Sequence, residues 1–395
     1  MRRAVPLFVL MVLAAVCVPG ASARVLRVGS LHGVSGQYRS IQAAVDAARA
    51  GDWILVGPGD YKEGADHRRH RGPQPADTPA GVVIAKAGIH LRGMSRTAVV
   101  VDGTRPGSRR CSARRADQDF GPRGRRGQAR LGRNGILVWK AGSVWVQNLT
   151  VCNFLGGSGN VGNQIWWNGG DGSYAGAGGI GSTPATSTPL ASTSAPASRS
   201  GDQTVDHAHA QYSALGYSGS NSGGALLVEN SEFDHNKHGF DTNSQNGDNP
   251  PPHNGACPHG GVSPITHTHS CWVFTHNYVH DNNNPNVPYL GLAGSGPVGT
   301  GMSVSGGRND TIIGNRFAWG DALIGNTFTH NGFYGHPSNG DIAELNFQGG
   351  HPTDCYRGNR DGAGGPTSSP SDLGAGASGL RRDAGGVEPQ LDVPE

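Results

Sequence analysis

Between residues 234 and 241 the chain reads Asp-His-Asn-Lys-His-Gly-Phe-Asp, and a further Asp-Asn pair stands at 281–282. Asp234, Lys237, Asp241 and Asp281 are therefore the candidate catalytic residues, with His235 and His238 among them. A base such as Lys237 is what removal of a proton next to a sugar carboxylate requires, and carboxylates holding Ca2+ would neutralise the charge that such an elimination develops. Hydrolysis of a glycosidic bond instead asks for two carboxyl groups about 5–10 Å apart. The residue types between Asp234 and Asp281 satisfy either demand. A polar outer face of an ordinary repeat protein would have the same composition. His238 and the adjacent Trp166 and Trp167, which open the run Trp-Trp-Asn-Gly-Gly-Asp, are the candidate substrate-binding residues. Indoles stack on sugar rings, and neighbouring Asn and Asp can bind hydroxyls. Adjacent side chains of a strand point to opposite faces, so one indole is expected in the core and one outside.

A second constellation is rich in histidine. His235, His238, His253, His259, His267, His269, His276 and His280 accompany Cys257 and Cys271. Cys257-x-His259 and His267-x-His269-x-Cys271 have spacings that a metal site uses. In an oxidising compartment a Cys257–Cys271 disulfide is the favoured reading, and no metal ligands are assigned. Cys111 with Cys152 is a further pairing.

The elements that must carry these residues are short. Residues 38–48 form an amphipathic helix, with Ser40 as its cap and Ile41, Ala44, Val45 and Ala48 on one face. Then come Gly51-Asp-Trp-Ile-Leu-Val-Gly-Pro-Gly-Asp-Tyr-Lys-Glu63 and strand-like runs at 81–85, 89–92 and 98–102. No crossover helices separate them, which disfavours a doubly wound α/β sheet. Four segments repeat a polar frame closed by Asn: 148–153, 231–236, 277–282 and 326–331. The steps of 46 and 49 residues between the later frames suggest two coils of about 23–24 residues each. Asn suits a repeated bend, because it tolerates a left-handed backbone and its amide can stack on the next coil.

The helix followed by "G-D-W-I-L-V-G-P-G-D-Y-K-E", "G-I-H-L-R-G" and "V-V-V-D-G-T" resembles the start of pectin-lyase-like β-helix proteins. The resemblance implies an all-β fold, a right-handed parallel β-helix whose first coil is plugged by the short helix. That superfamily includes lyases, hydrolases, esterases and proteins without known activity, so the fold does not settle a reaction. The Asn-Thr-Asp, Asp-pair, Gly-His-Gly and Arg-Ile-Lys signature of the pectin hydrolases is missing, and Lys237-His238-Gly239 matches one fragment of it. The methylesterase motif Asp-Phe-Ile-Phe-Gly has only Asp119-Phe120-Gly121 to set against it.

Arg2 and Arg3, an apolar run from Ala4 to Val18 and Ala21-Ser22-Ala23 read as a secretory signal at 1–23, which places the mature protein outside the cell. No later run spans a bilayer. Removing the signal leaves 30 basic against 29 acidic residues, so charge names no polyanionic partner, and no nucleic-acid module is present. Glycine is 65 of 395 residues, too many for a helical bundle and suited to many turns. The β-helix is expected over 24–360, interrupted by an arginine-rich stretch at 105–133, read as a solvated loop, and a Ser/Thr/Pro stretch at 172–206; residues 361–395 have the composition of a disordered tail. Fold and export together favour a secreted monomer that binds or processes an extracellular polysaccharide or cell-surface glycan, by lyase-like or hydrolase-like chemistry. The alternatives are a non-catalytic structural or surface-binding solenoid and an exported metal-binding β-helix protein.

Overall fold

The computed structural model describes residues 22–64, 72–124, 129–159, 161–168, 178–181, 184–186, 191–194, 203–220, 226–243, 272–282, 284–287, 300–305, 310–313, 322–324, 327–328, 342–345, 355–357 and 360–361. The chain enters through a two-turn helix, Ile41–Ala47. Ser40 caps it by accepting a bond from the Ala43 amide at 3.2 Å. Lys86 closes the other end, its ammonium donating to the carbonyls of Val45, Asp46 and Ala48. A cation there answers both the unpaired carbonyls and the negative end of the helix dipole. Ile41, Ala44 and Val45 face inward and join the core. Gln42 on the flank pairs with the Val83 backbone, through its Oε1 at 2.6 Å and its Nε2 at 3.3 Å. The helix thus covers the apolar end of the solenoid and occupies an edge strand that would otherwise be open for pairing.

Behind the helix the strands stack in three parallel sheets. Among the described residues the first has nine strands, from Val25–Val28 and Trp53–Val56 through Leu226–Glu229 and Trp272–Thr275 to Asp310–Ile313. The second has seven, from Gly59–Tyr61 to Tyr278–His280, and the third eight, from Ala80–Ile84 to Ile342–Leu345. The chain visits first, second and third sheet in turn and then pairs one strand further along each, which makes it a right-handed parallel β-helix. Inward side chains stack in register: Ile54 on Leu91 on Val146, and Val101 on Val151. Further along, the fill becomes aromatic. Tyr217 and Phe240 stack at 4.4 Å, and Phe240 meets Phe274 at 4.2 Å. No helix among the described residues is long and apolar enough to cross a membrane.

The bends explain the Asn frames and revise them. Four turns from first to second sheet place one residue in the left-handed region: Asn148, His207, Asn230 and His276. Four exits from the second sheet do the same at Asn153, Tyr212, His235 and Asp281. The residue after each of the last two pairs is a buried asparagine or serine whose side chain links coils. Asn236 Oδ1 accepts from the Ser213 amide at 2.9 Å, and its Nδ2 donates to the Ala210 carbonyl at 3.0 Å. Asn282 repeats this one coil later, accepting from the Asn236 amide and donating to the Phe233 carbonyl. Of the three frames within the described residues, only the first, Asn148–Asn153, sits on the left-handed positions, and the fourth, 326–331, lies mostly outside them. The frames at 231–236 and 277–282 are offset by one residue and supply the buried amide ladder instead.

Strand pairing also corrects the period. Glu232–Asp234 pairs directly with Tyr278–His280, so the 46-residue step is one coil with added chain, not two coils. The added residues, 244–271, follow the third-sheet strand His238–Asn243. Within the stretch 172–206, Gly178–Gly181 pairs with Val144–Gln147 on one side and Gln203–Asp206 on the other. The arginine-rich stretch is likewise anchored. Arg133 is buried and bonds Asp119 at 3.0 Å and the carbonyls of Glu63 and Gly103. Cys111 is joined to Cys152 by a disulfide with a Cα–Cα distance of 5.7 Å.

Candidate functional site on the second sheet

Three successive strands of the second sheet carry the site: His209–Gln211, Glu232–Asp234 and Tyr278–His280. Their central residues, Ala210, Phe233 and Val279, are buried in the core. Alternation then turns His209, Glu232, Asp234, Tyr278 and His280 outward. The parallel register sets Glu232 between His209 and Tyr278, and Asp234 between Gln211 and His280. The next residue of each strand bends in the left-handed conformation, which brings His235 and Asp281 beside the same face.

The outward groups form a chain of alternating acids and imidazoles. Asp281 Oδ2 meets His280 Nδ1 at 2.7 Å, and His280 Nε2 meets Glu232 Oε1 at 3.1 Å. The other oxygen of Glu232 lies 3.8 Å from His209 Nε2. His209 Nε2 bonds Asp234 Oδ1 at 2.5 Å, and Asp234 Oδ2 bonds His235 Nδ1. Tyr278 stacks on the His280 ring at 3.8 Å. Exposure is uneven. The Asp234 side chain is 7% exposed, whereas that of Glu232 is 43% exposed.

Charge follows from these contacts. Burial works to raise the Asp234 pKa, but hydrogen bonds from His209 and His235, with their charges, overcome it and hold the carboxyl below its usual range. Burial likewise opposes a charge on His209, yet Asp234 and then Glu232 raise its pKa above that of a free imidazole. The face therefore holds an ionised carboxylate against a histidine ready to keep a proton. That pairing suits proton transfer, and the donor atoms of His209, Glu232 and Asp234 lie within 4.8 Å of one another.

The structure brings together two of the four expected catalytic residues. Asp234 and Asp281 stand in the chain on adjacent coils, one coil apart rather than two. Lys237 lies past the bend with its side chain buried, and that burial pushes its ammonium pKa down. Asp241 belongs to the third sheet, in register with Ser218 and Ser303, and so does not share the face of Asp234. His238 is buried, not surface-exposed. Burial takes its pKa down to about 4 against the bond to the Phe240 carbonyl, and the Lys237 charge adds to the fall. Trp166 and Trp167 are both buried, and both indole nitrogens lack a partner among the described residues, so the expectation of one exposed indole is not met. Cys257 and Cys271 lie outside the described residues. His209 and Glu232, which were not singled out from the sequence, complete the cluster, and His280, one of the histidines noted there, bridges Glu232 to Asp281. The signal for the first two is their spacing of 23 residues, one coil without added chain.

No known family profile matches the chain, and no curated relative matches it. Among solved structures it is similar to a pectin methylesterase mutant in complex with a hexasaccharide, at 12% identity over 90% of this chain and 92% of that one, with a TM-score of 0.39. It is also similar to the pectin methylesterases of Erwinia chrysanthemi and Yersinia enterocolitica. Each is 13% identical with a TM-score of 0.35, over 91% and 87% of this chain and 92% and 93% of theirs. By its own strand pairing the chain is a parallel β-helix protein, with a histidine–carboxylate face on its second sheet.

Proposed function

We propose that this is an exported β-helix protein that binds or processes an extracellular polysaccharide on the outer face of its second sheet. One observation carries the proposal. Two carboxyl groups, Glu232 and Asp234, stand within 4.8 Å of each other with His209 between them, on a face that runs along the stacked coils. Such a separation is near that of paired carboxyls that act on glycosidic bonds, about 5 Å in enzymes that retain configuration. The Asp234 pKa is lowered by its hydrogen bonds from His209 and His235 against burial, and that of His209 is raised by Asp234, so the two can serve as base or charge stabiliser and as acid. Asp281 orients His280 at one end of the chain. Lys237, with its lowered pKa, is the base that an elimination would use after a shift that exposes it. Ca2+ on the carboxylates would assist elimination from a polyuronate.

The test is incubation of the purified protein with a panel of neutral glycans and polyuronates, with Ca2+ and with chelator. Unsaturated chain ends signal elimination, and new reducing ends without unsaturation signal hydrolysis. Binding without cleavage supports a recognition surface. Neither binding nor cleavage across the panel overturns the proposal. The second reading, a non-catalytic solenoid, draws on a specific feature: each carboxylate in the chain already has an imidazole partner, as a self-satisfied polar ladder requires.

A further inference from the structure

The second-sheet face has the donor set of a metal site. His209 Nε2, a Glu232 oxygen and an Asp234 oxygen lie within 4.8 Å of one another, on neighbouring strands of one rigid sheet. Donors around a tetrahedral ion at 2.0–2.2 Å are spaced about 3.3 Å apart. No pair therefore needs to close by more than about 1.5 Å, and His209 Nε2 and Asp234 Oδ1, now 2.5 Å apart, need to part by about 0.8 Å, both within reach of side-chain rotation. The carboxylates are also held from behind. His235 takes the second oxygen of Asp234, and His280 takes the other oxygen of Glu232 while its own second nitrogen rests on Asp281. Such outer partners fix the orientation of ligating groups.

We propose that His209, Glu232 and Asp234 bind one divalent transition-metal ion, with Zn2+ as the best fit, in an open three-ligand site. An imidazole donor favours Zn2+ over Ca2+, which takes oxygen ligands in larger number. Three protein ligands leave a fourth position for water. Glu232 is 43% exposed and His209 26%, so an ion and its water reach the site from solvent. On binding, the His209 nitrogen gives up the proton it shares with Asp234, and that proton leaves to solvent. The Cys111–Cys152 pair, which also lies close to a carboxylate, is excluded as a second site, because its sulfurs are joined to each other. The inference uses the same side chains as the polysaccharide proposal but does not depend on it.

The experiment uses the full mature chain, purified without a histidine tag, stripped with chelator and titrated with Zn2+ in the absence of any glycan. Titration with Co2+ runs alongside, because a site of nitrogen and oxygen ligands gives d–d bands without the thiolate charge-transfer band that a cysteine site adds. We expect at least one equivalent of Zn2+, a Co2+ spectrum with bands from a thiolate-free site, and no displacement by Ca2+. His209→Gln and Glu232→Gln each lose that equivalent or weaken it at least tenfold, while His207→Gln, on an exposed bend, retains it. Glu232 is exposed enough that its variant reports even if the His209 variant folds poorly. Less than one equivalent of Zn2+, or retention of that equivalent by a folded Glu232→Gln variant, overturns the proposal. Glycan binding in the stripped protein is scored separately, so failure of one reading leaves the other standing.

Discussion

His209 and Asp234 lie on adjacent coils and out of register, yet their side chains meet directly on the outer face. The strand partner of His209 is Glu232, but its Nε2 reaches diagonally across to Asp234 Oδ1 at 2.5 Å. That diagonal ties two coils together and makes Asp234 the residue on which His209 and His235 both converge. Asp234→Asn keeps the shape and removes the charge that both imidazoles answer. We expect any polysaccharide activity to fall at least tenfold, with a stability loss of roughly 1–3 kcal/mol, the cost of charge-assisted hydrogen bonds. Initial rates and denaturant midpoints measured on the same preparation check this. Unchanged rates in a folded variant would remove Asp234 from the site.

The buried amide ladder sets a larger cost a few residues away. Asn236 satisfies a backbone N–H of Ser213 and a backbone carbonyl of Ala210, and neither can reach water. Asn236→Ala strands both groups, at about 1–3 kcal/mol each. Asn230, on the left-handed bend outside, is exposed and its side chain donates to Asp206. Asn230→Gly suits that backbone and is expected to change stability by less than about 1 kcal/mol. Chemical denaturation of the two variants should therefore separate clearly, although both replace an asparagine flanking the same strand, Glu232–Asp234.

This contrast also shows what the sequence made legible. The capping helix and the recurrence of Asn near the bends were readable because each is local: Ser40 before an apolar stripe, and Asn at 148, 153, 236, 277 and 282. The offset between Asn153 and Asn236 was not, because the left-handed position can be filled by Asn, His, Tyr or Asp, and identity alone does not mark it. The coil count failed for the same kind of reason. Residues 244–271 add chain to one coil without changing the register of Glu232 on Tyr278, so a spacing of 46 mimics two repeats. Asp234 was found through its neighbours in sequence, whereas His209 and Glu232 needed the one-coil offset that pairs them. The burial of both tryptophans was hidden because alternation predicts opposite faces but not what covers the outer one.

The arginine-rich segment offers a test of its packing. Arg133 and Asp119 are both nearly inaccessible, and Arg133 also holds the carbonyls of Glu63 and Gly103. Arg133→Ala leaves the Asp119 carboxylate buried beside lost partners, and we expect a loss of about 3–5 kcal/mol. Replacing the pair together, Arg133→Met with Asp119→Leu, should recover a good part of that loss, since the uncompensated charge is gone. Thermal or denaturant unfolding of the single and double variants gives the answer. If Arg133→Ala costs less than 1 kcal/mol, the segment is not packed as described.

His238 provides a pH signature that is separable from the outer face. In the unfolded chain its imidazole titrates near 6.5, and in the fold burial takes it down to about 4. Between those values the unfolded state binds a proton that the folded state refuses. Stability from this residue is therefore fully present above about pH 6.5 and is lost as pH falls toward 4, with a slope of up to about 1.4 kcal/mol per pH unit. Other groups titrate in the same window. Asp52, whose pKa is lowered to about 2 by the Arg24 hydrogen bond, responds only below about pH 4. His209 has the opposite sign, because its raised pKa makes it favour the fold when protonated. The difference between parent and His238→Gln isolates the buried imidazole from these. Whatever the variant costs at neutral pH, its stability should decline less steeply than the parent's from pH 6.5 to 4. Parallel slopes in denaturant titrations at pH 4.5, 5.5 and 6.5 would mean that His238 takes up its proton in the folded state as readily as in the unfolded one.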